Sequence, residues 1–365
     1  MSEKKTRMLV LGGYLGAGKT TLAVNLAKEL HHKHGKTVAI ITNDQGNVLV
    51  DTEYSRGAGL DTREISGGCF CTNFDNLVCN ARDLVVTGKP DVIIAEPIGT
   101  STNIMSSVVA PMRSLYPDEF SVVPFIVVVD CVRALDILNG EKERTEDTVD
   151  LIPAHQIREA EVIVLTKTDI VDDDTEIRVT DRLRGILPKA RIIPTSSADL
   201  RNMDDIMDLV LSEEVSSKTP INEKDPGFAF EKAKLGWYSG TFDMTPSDSI
   251  DMYSLCTYLL KGVADEYGTD SVVHVKVVIE APDAAAKMSL VQKEMQVDSI
   301  HGSRYVREKG MLILNARVVS PPKRLEETMR GLIDNVRKEY GCTLEVTGEK
   351  CFMPKPESPS HFFFE

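Results

Sequence analysis

Lys19 and Thr20 close the run Gly12-Gly13-Tyr14-Leu15-Gly16-Ala17-Gly18-Lys19-Thr20, which from Gly13 onward has the spacing GxxxxGK[ST]. Glycines let the main chain wrap closely enough for its N–H groups to converge on an anion, and the start of a following helix adds a field that favours negative charge. The spacing implies a polyphosphate cradled by Gly13, Gly16, Ala17, Gly18, Lys19, Thr20 and Thr21. Lys19 then bridges its β- and γ-phosphates, and the Thr20 hydroxyl ligates Mg²⁺. Glu96 ends the apolar run Val92-Ile93-Ile94-Ala95 and is followed by Pro97. An acid at the end of such a strand lies beside the phosphates, where it holds Mg²⁺, directly or through water, or orients an attacking water. Lys19, Thr20 and Glu96 are therefore the candidate catalytic set.

Thr166-Lys167-Thr168-Asp169 follows a further apolar run, Val162 to Leu165, and has the pattern [NT]KxD. A carboxylate there accepts hydrogen bonds from N1–H and the exocyclic amine of guanine, groups that adenine does not present. Asp169 selects GTP, Lys167 lies along the base and braces the phosphate loop, and the Thr195-Ser196-Ser197-Ala198 exit of a late strand offers N–H groups, that of Ser197 among them, to the guanine carbonyl. Cys69 and Cys71, two residues apart after Gly67 and Gly68, are too close for a comfortable disulfide but can face one cation from a turning loop. Soft thiolates favour Zn²⁺, Cu(I), Co²⁺ or Ni²⁺ over Mg²⁺. Two ligands leave a tetrahedral site open, to be closed by Cys79, by Glu64, or by the same pair from a second copy of the chain. Asp44 and Asp51 either approach Mg²⁺ or cap a turn, and Asp130 reads as structural.

These residues need a scaffold that brings strand ends together. Met8 to Leu11 reads as a buried strand, Leu22, Leu26 and Leu30 recur every fourth residue as a helix face, and Val38 to Ile41 is a second strand. The βαβ unit that results, repeated along the first 210 residues, predicts an α/β P-loop NTPase with a mostly parallel sheet, over residues 1–212. Residues 213–234, polar and carrying Pro220 and Pro226, read as a linker. Residues 235–352 alternate as βαββαβ, which predicts a smaller ferredoxin-like α+β domain. Its first helix takes Ser247 or Ser249 as cap, and His274 with Lys276 lies on a solvated strand face. Residues 353–365 read as a flexible tail, whose Phe362-Phe363-Phe364 alternatively docks to a partner.

The 365 residues carry a net charge of −14, which argues against nucleic acid, and no apolar run reaches the length of a membrane span. Seven cysteines without a secretory signal read as reduced thiols, so the expectation is a cytoplasmic protein. His31, His32 and His34 at the end of the first helix are best explained by its dipole and by solvent.

The ordered set GGYLGAGKTT, EISGGCFCTN, AEPIGTS, VVVDCVR and LTKTD resembles the CobW-type GTPases, relatives of the nickel-insertion GTPases HypB and UreG. The resemblance implies GTP hydrolysis with Mg²⁺, coupled to metal delivery or to maturation of a metallo- or corrinoid client enzyme. It also implies that Gly67 to Cys71 matches the metal-binding GCxCC loop of that family. Thr72 stands where the third motif cysteine is usual, Thr166 replaces the commoner Asn, and no long histidine-rich tract is present. The shortage of ligands suggests a nucleotide- or metal-dependent homodimer with four facing thiolates. Two other readings use the same residues: a GTP-dependent switch that docks to a client without metal cargo, and an ATP-dependent small-molecule kinase, which the TKTD tetrad opposes.

Overall fold

The computed structural model describes residues 5–44, 61–66, 69–140, 150–221, 225–291, 294–354 and 359–363. Among them the chain divides into two compact units, residues 5–44, 61–231 and 359–363 in one and residues 232–354 in the other. No described helix is long and apolar enough to cross a membrane.

The first unit is built on β1 (Thr6–Gly13), α1 (Lys19–His34), β2 (Val38–Asp44), β3 (Asp61–Ser66), α2 (Phe74–Thr87) and β4 (Val92–Glu96). After β4 the chain makes a wide helical turn, Met105–Val109, that runs into α3 (Ala110–Leu115). Then follow β5 (Phe120–Val122), β6 (Ile126–Asp130), α4 (Cys131–Gly140), α5 (Leu151–Glu159), β7 (Val162–Thr166), α6 (Asp173–Ile186), β8 (Arg191–Pro194) and α7 (Met203–Leu211). The strands pair in the order β3-β2-β4-β1-β6-β7-β8, with β5 also on β1. Every pairing among them is parallel. Such a sheet is covered on both faces, which explains why β1, β4, β6 and β7 are buried along their whole length. The order turns outward in both directions from β1, so the crevice beyond its carboxyl end is where a ligand belongs. Leu22, Leu26 and Leu30 of α1 pack on Leu9, Leu11, Ile40 and Ile94 of the sheet. Gly35 closes α1 in the left-handed conformation and His31, His32 and His34 are exposed, as a dipole-stabilised helix end requires.

Part of the stretch read as linker is helical: α8 (Pro226–Ala233) is held by Glu231, whose carboxylate accepts from the main-chain N–H of Leu151 at 2.9 Å and of Ile152 at 3.2 Å. A buried carboxylate capping a helix start outweighs the disordering effect of the two prolines.

The second unit comprises β9 (Leu235–Pro246), β10 (Ile250–Asp251), α9 (Met252–Tyr267), β11 (Val272–Ala281), β12 (Ala284–Val291), β13 (Glu294–Gly302), β14 (Tyr305–Val306), β15 (Gly310–Val319), α10 (Pro322–Glu339) and β16 (Cys342–Phe352). Its antiparallel sheet runs β13-β12-β11-β15-β9-β16. Removing the β12–β13 hairpin leaves the ferredoxin-like order. Leu255, Leu259 and Val263 of α9 and Leu325, Met329 and Ile333 of α10 share one core with Phe242, Val277 and Leu314 of the sheet. The cap of α9 is Asp251 rather than Ser247 or Ser249, its carboxylate accepting from Tyr253 N at 3.0 Å and Ser254 N at 3.2 Å. The carboxylate also pairs with Arg304, a gain that no serine offers. His274 is not solvated: it is 9% exposed on a strand that is buried over most of its length, so alternation there does not mark a wet face.

Candidate functional site

The turn between β1 and α1 is shaped by contacts from outside it. Gly13 has φ +135°, and a Cβ there would lie 2.4 Å from the carbonyl oxygen of Val128. Gly18 caps α1 and, having no side chain, itself supplies no acceptor to the first N–H groups of the helix. Arg133 Nη1 donates to Leu15 O at 3.2 Å, and the Thr166 hydroxyl donates to Ala17 O at 2.7 Å. Across a planar trans peptide the carbonyl and the next N–H point in opposite directions. Drawing those two carbonyls outward therefore turns the N–H groups of Gly16 and Gly18 inward, the arrangement an anion needs. Arg133 is 5% exposed, its Nε and Nη2 have no hydrogen-bond partner among the described residues, and its guanidinium lies 5.3 Å from the Tyr14 ring. Tyr14 is buried too, and burial pushes its phenol far above the ordinary range.

Inside the turn, Lys19 Nζ donates to Tyr14 O at 3.2 Å and stands 3.9 Å from the Glu96 carboxylate. The Thr20 hydroxyl is 2.9 Å from both Glu96 oxygens. Thr21, next along α1, is half-buried. A hydroxyl and a carboxylate converging at a helix start form a hard oxygen set, which fits Mg²⁺ and not a soft metal. The side chains of Asp44 and Glu64, and all of Asp51, Gly67 and Gly68, lie outside the described residues.

At the base end, Lys167 adopts φ +60° and sends Nζ to Asp130 at 2.7 Å. Bracing of the phosphate turn thus comes from Thr166, while Lys167 is tied to Asp130, whose structural role is this ion pair and a bond from Val132 N at 2.9 Å. Thr168 stitches the tetrad to the next strand exit through its hydroxyl, 2.9 Å from Thr195 O. Asp169 and Ser197 are both exposed, on the two loops so joined.

The thiols are enclosed. Cys69 and Cys71 are 1% and 0% exposed, in a turn where Thr72 N and Asn73 N both donate to Cys69 O. The Cys71 N–H points at Cys69 Sγ over 3.4 Å, and Ser101 Oγ lies 3.0 Å from the same sulfur. Cys79 is exposed on α2, and among the described residues no group of three or more His, Cys, Asp or Glu is placed to hold a metal.

Ser101 belongs to the segment 97–103 that leaves Glu96. Gly99 in that segment packs so tightly on the phosphate turn that a Cβ would sit 2.9 Å from Leu15 N. Gln156 of α5 clamps the segment, donating from Nε2 to Gly99 O at 3.0 Å and Ser101 O at 2.7 Å. Glu159, one turn further along α5, accepts from Met105 N at 2.9 Å and Ile104 N at 3.3 Å, with buried His155 beside it at 3.5 Å. Burial pushes the Glu159 carboxyl up to about 7, against the opposing pull of those main-chain donors. Arg133, Gln156 and Ser101 were not singled out in the sequence, although Arg133 and Ser101 lie within two of the five motifs.

Fold and site together make this a P-loop nucleotide-binding protein. Within that class the chain belongs to the CobW/HypB/UreG family, whose nucleotide-binding domain matches residues 7–194. A zinc chaperone CobW of Sinorhizobium is 29% identical in a 195-residue alignment that covers 47% of this chain and 53% of that protein. The zinc-regulated GTPase metalloprotein activator 1 of Schizosaccharomyces pombe is 26% identical in a 209-residue alignment that covers 55% of this chain and 48% of that protein. The chain spans about half the length of the curated relatives it matches. Among solved structures, HypB from Helicobacter pylori in complex with nickel is 19% identical, with a TM-score of 0.43 over 60% of this chain and 93% of that one.

Proposed function

We propose that the protein binds and hydrolyses GTP with Mg²⁺ and uses the nucleotide state to control a thiol site that hands a transition metal, zinc first among the candidates, to a client metallo- or corrinoid enzyme. Lys19 and the inward N–H groups hold the phosphates, Thr20 and Glu96 would hold Mg²⁺, and Asp169 with the Thr195–Ala198 loop reads guanine. Mg²⁺, when bound, supplies charge neutralisation on the phosphates. Cys69 and Cys71 are the metal ligands. The observation that carries the coupling is the 3.0 Å contact between Ser101 and Cys69. Glu96, bonded to Thr20 of the phosphate site, and Ser101, bonded to a thiol, are five residues apart on one segment packed against the phosphate turn. A change at the phosphates thus has a short path to the sulfur, five residues of chain with a hydrogen bond at either end, which gives two states different metal affinities. The names of the zinc chaperone and metalloprotein activator relatives agree with this reading.

A titration of the reduced protein with Zn²⁺, Co²⁺ and Ni²⁺, nucleotide-free and loaded with a non-hydrolysable GTP analogue, tests it. Tight binding that needs both cysteines and differs between the two states is expected, together with light scattering that reports a dimer when four thiolates are shared. Full burial of both thiols favours a second reading, a GTP switch that docks to its client without cargo. Absence of cysteine-dependent metal binding in either state, with GTP binding intact, would select that one.

A further inference from the structure

The last described residues of the chain lie against the cysteine turn. Ser360 N donates to Cys71 O at 2.9 Å, and its hydroxyl lies 3.3 Å from the same oxygen. Three residues on, Phe363 N donates to Ser106 O at 2.9 Å, in the wide turn that follows segment 97–103. Between these anchors the His361 ring meets the Phe74 ring edge-on at 4.9 Å, with Nε2 3.7 Å from Asp75. Residues 359–363, within the stretch expected to be a flexible tail, thus lie against the first unit through main-chain donors, a hydroxyl and the His361 ring.

We propose that this surface, the carbonyls of Cys71 and Ser106 with the Phe74 ring between them, is a binding site for an extended aromatic peptide. Its occupant is the chain's own Ser360–Phe363 segment, and the segment gates Cys69 and Cys71. Cys71 shares its turn with Cys69, and Ser106 follows Ser101 by five residues, in the wide turn into which segment 97–103 runs. A peptide bonded to both holds those elements together and shields the thiols, and its departure frees them to separate. Main-chain bonds and a ring edge are contacts that water or another extended peptide can replace, so the segment can be displaced. The gating role rests on Cys69 and Cys71 being the working thiols; the docking does not.

The test is the alkylation rate of each cysteine by N-ethylmaleimide, read by peptide mass spectrometry. It compares the full chain, a chain ending at Pro354, and Ser360→Pro, which removes the first N–H donor without shortening the chain. Cys69 and Cys71 should react about tenfold or more faster in both variants, the rate following the population of the open state. Exposed Cys79 and buried Cys256 of the second unit should keep their rates. A synthetic peptide of residues 357–365 should restore protection to the shortened chain. Equal rates for Cys69 and Cys71 in the full chain and Ser360→Pro would overturn the proposal, as would protection that rises with protein concentration, which assigns the occupant to a second copy. Faster alkylation without any metal binding by the shortened chain would retain the docking and remove the metal reading instead.

Discussion

The two units solve the same packing problem with different strand pairings, and among the described residues it is the first whose strand ends bring polar groups together. In the first, parallel pairing sends the carboxyl ends of β1, β4, β6, β7 and β8 to one edge, so Gly13, Glu96, Asp130, Thr166 and Pro194 lead their loops to a common crevice. In the second, antiparallel pairing alternates the ends, and the side chains of α9 and α10 go into one apolar core. Strand direction, more than composition, decides where convergent polar groups can be assembled.

The sharpest way to break this contrast is to remove the choice of base. Asp169→Asn should lower the preference for GTP over ATP by about 10²- to 10⁴-fold, because unpaired guanine donors are costly, and should improve xanthosine triphosphate binding. Competition calorimetry reads both, and an unchanged preference would deny the first unit its assigned role. On the other side, Leu259→Ala hollows the core of the second unit and should cost about 2–5 kcal/mol. Trp237, the single tryptophan, lies in that unit, so its fluorescence in urea follows this loss directly. GTP affinity should stay within about threefold of the unsubstituted chain if the units are thermodynamically separate.

The smallest effect expected is a pH slope within the first unit. The Glu159 carboxyl is held near 7 in the folded chain and titrates near its ordinary 4.5 when unfolded. The folded state therefore binds the extra proton between these values, and stability present below about 4.5 is lost as pH rises through 7. The loss is on the order of 1–3 kcal/mol, measured as denaturation midpoints from pH 4.5 to 8. Glu159→Gln should flatten it.

Much of the first unit can be read from short motifs, because a phosphate turn, a strand-end acid and the TKTD tetrad are local patterns. The ferredoxin-like order was legible for the same reason, two helices of clear period set among strands. What escaped was long-range. Arg133 meets Leu15 across 118 residues, Ser101 meets Cys69 across 32, and Glu159 meets Met105 across 54. No periodicity marks a residue whose partner is fixed only by the finished fold. His274 misled for a related reason: an alternating strand predicts a polar face, and whether water reaches that face is decided elsewhere in the chain.

The wide turn at Met105–Val109, where Ala110 N reaches back five residues to Met105 O, spends more chain per coil than an ordinary helix. Rewinding it to the usual pitch would release about one residue of slack into the stretch ahead. That stretch lies between the phosphate crevice and the sulfur pair, so it can lengthen while every rung of the parallel ladder stays closed.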